Sequence, residues 1–311
     1  MEKTKGFAAQ GVAGFIRPSP SRRGGLYESI SRCLITAAES IGSVYQRSAV
    51  HADLCHPPHG IQNRLGNTCF IGTALQGFAA CGEPILQYLR EATRRNSNTA
   101  EMLLLGIESI QNGLDFHVNS LLPDNMTAGD HYDCDDWIQE TFHKVFQETS
   151  MQYLFEDLYC LYYSMDAHSS SQQWIEEEQC LATKNGQPMI TKPIVLNICT
   201  QIPTVSEIRL DEVVSLQLCD GSTVPYQLVA VLVHMGERNS GHYVAYRRGS
   251  RTARNTQGSG TVDDSRSWYK MDDSWVTKTS WDTVSALRAS SWGSAGGVRN
   301  LIYIEHHDGN H

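Results

Sequence analysis

No Cys-x-x-Cys pair occurs in this 311-residue chain, although it contains nine cysteines. Scattered, odd-numbered thiols argue against a four-thiolate zinc site and against a disulfide framework. They fit a reducing compartment, cytoplasmic or nuclear. Long apolar runs are missing too. Nothing approaches the ~18 uninterrupted apolar residues that a membrane-spanning helix needs, so membrane association is not expected. Basic charge is also short: 25 Lys and Arg stand against 34 Asp and Glu, a formal net charge of −9. That balance disfavours nucleic acid and mildly favours basic partners. Near the N-terminus an apolar patch is broken by Gln10 and no clear cleavage site follows, which weighs against a signal peptide. Internal repeats are absent.

What is present suffices for a full core, with 41% hydrophobic residues. Residues 1–25 are rich in Gly, Ser, Pro and Arg and predict a flexible start. From Leu26 to about Gln46, apolar residues recur every three or four positions, one face of an amphipathic helix. A linker-like HPPHG at 56–60 then separates an N-terminal extension, 1–58, from a larger domain, 59–311. Between 69 and 165 the spacing is mostly helical, in CFIGTALQGFAA, EPILQYLREATRR, TAEMLLLGIESIQNG and YDCDDWIQETFHKVFQ. After about 188 the texture turns to short β-branched and aromatic runs: KPIVLNICT, EIRLDEVVSLQL, YQLVAVLVHM, GHYVAYRR, SWYKMDD and NLIYIEHH. Helices first and strands later predict an α+β fold. The polar segment 249–267 predicts an insertion between two strands.

One cysteine stands out. In NRLGNTCFIGTALQ, Cys69 follows a Gly-Asn turn and opens an apolar helical run, with Thr68 at the N-cap position. Free backbone N–H groups and the helix dipole at that end favour a thiolate, the nucleophilic form of the side chain. A thiolate needs a proton carrier and something to orient it. His242, in NSGHYVAY, and Asp272 or Asp273, in WYKMDDSWV, stand at strand ends and supply those types. Cys on a helix with His and Asp on later strands is the papain-like arrangement of thiol hydrolases. A buried, inert Cys69 with a surface His242 is equally compatible with the spacing alone.

The stretch IQNRLGNTCFIGTALQ resembles the cysteine box of the ubiquitin-specific proteases, and YQLVAVLVHMGERNSGHYVAYRR with WYKMDDSWV resembles their histidine box. HYDCDDWIQETF, KPIVLNICTQ and VRNLIYIEHH resemble further segments of that family in the right order, so the likeness spans about residues 60–306. It implies a papain-like architecture, with a helical thumb and an antiparallel β palm. It also implies Cys69 as nucleophile, His242 as general base and acid, and Asp272 as the group orienting the imidazole. Asp273 matches a second acidic residue that supports the oxyanion region or substitutes for Asp272. Asp133 and Asp136 match acidic positions facing ubiquitin's arginine-containing tail, where carboxylate–guanidinium pairing makes chemical sense. Gly241 and Tyr243 match the residues flanking the base. There, a small residue allows close approach of a Gly-Gly tail and the ring walls its tunnel.

Two departures stand against the resemblance. Where the family carries an oxyanion-stabilising Asn, five residues before the nucleophile, this chain has Arg64, with Asn63 one position earlier. Either a shifted loop still presents Asn63 or that donor is lost. The fingers region, which in relatives often binds zinc through two Cys-x-x-Cys pairs, offers only Cys160 and Cys180. No metal, no organic cofactor and reduced fingers are expected, with LYCLYYSM (158–165) readable as a strand of those fingers. The implied activity is thiol-dependent release of ubiquitin. The alternatives are a protease for another ubiquitin-like modifier and a weakly active ubiquitin-binding scaffold. The partner is ubiquitin or polyubiquitin conjugates.

Overall fold

A helix apolar on every side belongs inside a protein, and CFIGTALQGFAAC is one. It forms α1, Cys69–Cys81, with Phe70, Ile71, Ala74, Leu75 and Phe78 all buried. This computed structural model describes residues 58–122, 132–150, 158–163, 170–173, 175–176, 179, 192–200, 209–237, 240–249, 266–287 and 297–306. The flexible start and the amphipathic helix expected in 1–58 lie outside the described residues, as do Cys180 and residues 250–265.

Gly77 lets α1 sit close on the sheet, since a Cβ there would come within 2.6 Å of Ile302 Cδ1. Gly82, at φ 65°, ends α1 in a conformation that costs glycine little, and α2, Glu83–Arg94, starts at once with Pro84 in its first turn. That helix is amphipathic: Ile85, Leu86, Leu89 and Ala92 are buried, while Arg90 pairs with Glu83 and Glu108 at 2.8 and 3.0 Å. The Ser97 hydroxyl accepts the Ala100 N–H at 3.0 Å and caps α3, Asn98–Gln111. Asp133 caps α4, Cys134–Thr149, by accepting the N–H groups of Asp135 and Asp136.

The strands are β1 Leu158–Tyr163, β2 Val195–Thr200, β3 Val213–Gln217, β4 Thr223–Glu237, β5 Ser240–Arg248, β6 Trp268–Asp272, β7 Trp275–Thr279 and β8 Gly297–Glu305. They form one sheet in the order β1-β2-β8-β4-β5-β6-β7, with β3 also on β4. A short helix, α5 (Trp281–Ser285), follows β7. Alternation along β4 and β5 divides two cores. Ala230, Leu232 and Ala245 meet α1 on one face, while Val231, Val233 and Val244 pack with Trp268, Leu301 and Tyr303 on the other. The antiparallel palm has one exception, because β1 runs parallel to β2. The 31 residues between them exceed the dozen or so that a parallel return needs.

Candidate active site

Cys69, 7% exposed at the first turn of α1, lies beside the imidazole of His242 on β5 and raises its pKa. On its other side, His242 Nε2 lies 2.7 Å from Asp272 Oδ1 at the end of β6. Cys69, His242 and Asp272 therefore meet although up to 203 residues separate them in the chain. The Cys69 contact, chiefly, and the Asp272 hydrogen bond hold the His242 pKa up at about 9 against the opposing effect of burial. Burial also works against the Asp272 carboxylate. Hydrogen bonds from Lys270 Nζ, at 2.9 Å, and from His242 outweigh it and keep this acid below its ordinary pKa.

Thr68 stands at the N-cap of α1, as expected, but its side chain does not cap. Its hydroxyl and its backbone N–H both donate to Asn63 Oδ1, at 2.9 and 3.0 Å. Sharing one acceptor with its own amide turns that hydroxyl back into the preceding loop. Asn63 Nδ2 in turn donates to Asp273 Oδ2 at 3.4 Å. The amide of Asn63 is thus fixed beside the nucleophile loop, whereas Arg64 points outward and donates to Gln62 Oε1 at 3.0 Å. Asp273 occupies the left-handed region, φ 51°, in the two-residue turn joining β6 to β7, and burial raises its pKa. Ile61 N–H donates to the Asp273 carbonyl at 2.9 Å, so this turn also carries the start of the cysteine loop.

Asp133, Asp136, Gly241 and Tyr243 gather at the other side of His242. Tyr243 Oη donates to Asp133 Oδ2 at 2.9 Å and accepts the Cys134 N–H at 3.4 Å. Asp136 is exposed, and its carboxyl is raised by partial burial and by Asp133, Asp135 and Glu140 nearby. At Gly241 the close neighbour within the chain is a side chain: a Cβ would fall 1.9 Å from His234 Nε2. The His234 ring also packs on Tyr243, centroids 4.8 Å apart. Nothing in the spacing of the twelve histidines singles out His234; only its β4 register opposite Tyr243 does. Among the described residues, no group of three or more His, Cys, Asp or Glu is arranged to hold a metal. No single helix among them is long and apolar enough to cross a membrane.

Residues 176–295 match the family model described as ubiquitin carboxyl-terminal hydrolase, a span that includes His242, Asp272 and Asp273. Over 86 residues, 26% of the chain, the sequence is 38% identical to human ubiquitin carboxyl-terminal hydrolase 28. Identity to the Gallus gallus protein of the same name is 38% over 87 residues. Both matches liken part of the chain to the ubiquitin carboxyl-terminal hydrolases. Each aligned stretch spans only 6% of those relatives' length. Among solved structures, the fold of this chain is similar to the SAGA DUB module Ubp8/Sgf11/Sus1/Sgf73 bound to monoubiquitin. The TM-score is 0.53 at 12% identity, covering 87% of this chain and 75% of that one. The yeast SAGA DUB module with a mutant Sgf73 matches at the same score and identity, covering 80% and 68%.

Proposed function

We propose that this protein hydrolyses isopeptide or peptide bonds at the C-terminal glycine of ubiquitin through a Cys69–His242–Asp272 triad. The observation that carries the proposal is the His242 ring, which lies beside Cys69 and 2.7 Å from Asp272 Oδ1. In this mechanism the Cys69 thiolate adds to the glycine carbonyl carbon, and the oxyanion is met by the Cys69 N–H and the Asn63 amide. As the C–N bond breaks, the imidazolium gives its proton to the departing amine, leaving a thioester and neutral His242. Water then loses a proton to His242 as its oxygen attacks the thioester. The C–S bond breaks, restoring the thiolate–imidazolium pair, and ubiquitin leaves as the carboxylic acid, which gives its remaining proton to solvent.

A pKa near 9 for His242 keeps the ring cationic at neutral pH, the state in which it can donate to an amine. Asp133 and Asp136, at the N-terminus of α4, supply the negative surface for an arginine-bearing tail. Asp273 holds the Asn63 amide in place. The test is covalent capture by ubiquitin carrying a C-terminal electrophile, run beside the corresponding SUMO and NEDD8 reagents. An adduct with ubiquitin that vanishes in Cys69→Ala supports the proposal. Capture by another modifier alone, or binding of ubiquitin without adduct or turnover, sinks it.

A further inference from the structure

Asp135 is a buried acid that the mechanism above does not use. It is the second residue of α4 and only 2% exposed. Its Oδ1 accepts the side-chain amide of Asn300, on β8, at 2.8 Å and lies 3.5 Å from Asn197 Nδ2, on β2. Asn300 Nδ2 also donates to Asn197 Oδ1 at 3.2 Å, and Gln139 Nε2 donates to Asp135 Oδ2 at 3.1 Å. Both asparagines are buried as well. Two positions away on the same strands stand Val195 and Ile302, which belong to the core beneath the helices. By alternation, both amides therefore rise from the sheet toward α4.

Burying a carboxyl and two amides is costly even when they satisfy one another. Trp137, Ile138, Phe142 and Val145 of the same helix are buried in the core and already hold it against the sheet. Such apolar contacts are non-directional, so they fix neither the rotation of a helix nor its rise. Hydrogen bonds between defined donors and acceptors fix both. What rides on this turn is the negative surface: Asp133, the N-cap, precedes Asp135 by two residues, and the exposed Asp136 follows it by one. Resting on the reading of the site given above, we infer that Asp135 and Asn300 are positioning residues for the cationic ubiquitin tail. They set the rotation of the first turn of α4 and so the direction in which Asp133 and Asp136 face. Tyr243 holds Asp133 from β5, while the Asp135 cluster holds the same turn from β8 and β2. Being buried, neither Asp135 nor Asn300 meets the tail itself.

The experiment gives the full chain two substrates: ubiquitin C-terminal aminocoumarin amide, and the same amide with alanine in place of arginine in the ubiquitin tail. The parent prefers the arginine-bearing substrate, through a lower KM. In Asn300→Ala that preference shrinks about tenfold, because KM for the arginine-bearing substrate rises while kcat stays within about threefold. Asp135→Asn, which keeps an acceptor for Asn300, retains most of the preference. Each preference is a ratio within one preparation, so a smaller folded fraction cancels from it. Should Asn300→Ala fail to fold, Asn197→Ala, which loses the longer contact, shifts the ratio the same way and decides instead. A preference of parental size in the alanine variant, whatever its absolute rate, overturns the positioning role. So does a preference lost in Asp135→Asn alone, which assigns the effect to charge. A parent that hydrolyses both substrates equally well overturns the negative surface at α4, and this inference with it, but upholds the hydrolase reading. One that hydrolyses neither overturns that reading too.

Discussion

Cys69 and Cys81 are the first and last residues of the same helix, and both are buried. At the far end Cys81 donates only to the Gly77 carbonyl, at 3.6 Å, and burial pushes its pKa up to about 12 despite the attraction of Arg247. At the near end Cys69 has His242 against it, backed by Asp272. Burial by itself makes a thiol inert. An imidazole brought in by β5, at a helix start, is what the proposed chemistry of Cys69 requires. Cys134, fully buried at the start of α4 and 3.4 Å from the Phe70 carbonyl, resembles Cys81, its pKa raised first by burial.

The sharpest way to break this comparison is to remove each sulfur in turn. Cys69→Ala should cut turnover of a ubiquitin amide by about 10⁶-fold, as loss of a catalytic nucleophile does. Cys81→Ala should leave the rate within about threefold and show its cost in thermal unfolding. Comparable losses from both would end the distinction. Next in size is the support behind the imidazole. Asp272→Asn removes a group that raises the His242 pKa, so kcat/KM should fall by about 10²–10⁴-fold. The alkaline limb of the pH profile, near 9 in the parent, should move downward. Because the folded-state pKa lies above the ordinary ~6.5, this pairing stabilises the fold fully below that value and is lost as pH rises through 9. Denaturant midpoints measured from pH 6 to 10 would register the loss.

The loop before Cys69 allows a third test. Asn63→Ala should cost about 10²–10³-fold in kcat, while Arg64→Asn should change it little because Arg64 faces solvent. A rise with Arg64→Asn would mean that the family position, and not Asn63, supplies the oxyanion donor. The smallest effects are expected at two glycines of α1. Gly77→Ala forces a methyl into Ile302 and should destabilise by about 1–3 kcal/mol. At Gly72 a methyl would lie 3.8 Å from Ile61, an ordinary contact, so Gly72→Ala should stabilise by about 0.5–1 kcal/mol. Thermal melts of the two variants separate these signs.

The four long helices were legible in the sequence because α2, α3 and α4 carry an apolar period, α1 is an apolar run between a Gly-Asn turn and Gly82, and Ser97 and Asp133 cap α3 and α4. Most strands were legible from β-branched runs. β7 was not, since WVTKT is short and mostly exposed and carries no alternating burial. α5 spans five residues, too few for a period. The parallel pairing of β1 with β2 is a matter of topology, which local pattern does not encode. In the site, Cys69 showed itself by its place at a helix start, and His242 and Asp272 by position at strand ends together with the resemblance. The role of Asn63 was left open because its bond to Asp273 spans 210 residues. The Thr68 side chain escaped because cap rules describe an isolated helix, and here Asn63 competes for the hydroxyl.

The bond from the Tyr243 hydroxyl to Asp133 has a kinetic consequence. In the function proposed above, an arriving guanidinium meets an acid already aimed and held still, so little rotational freedom remains to be surrendered on capture. Stripping that hydroxyl away therefore shortens the dwell time of a captured tail far more than it delays the first encounter.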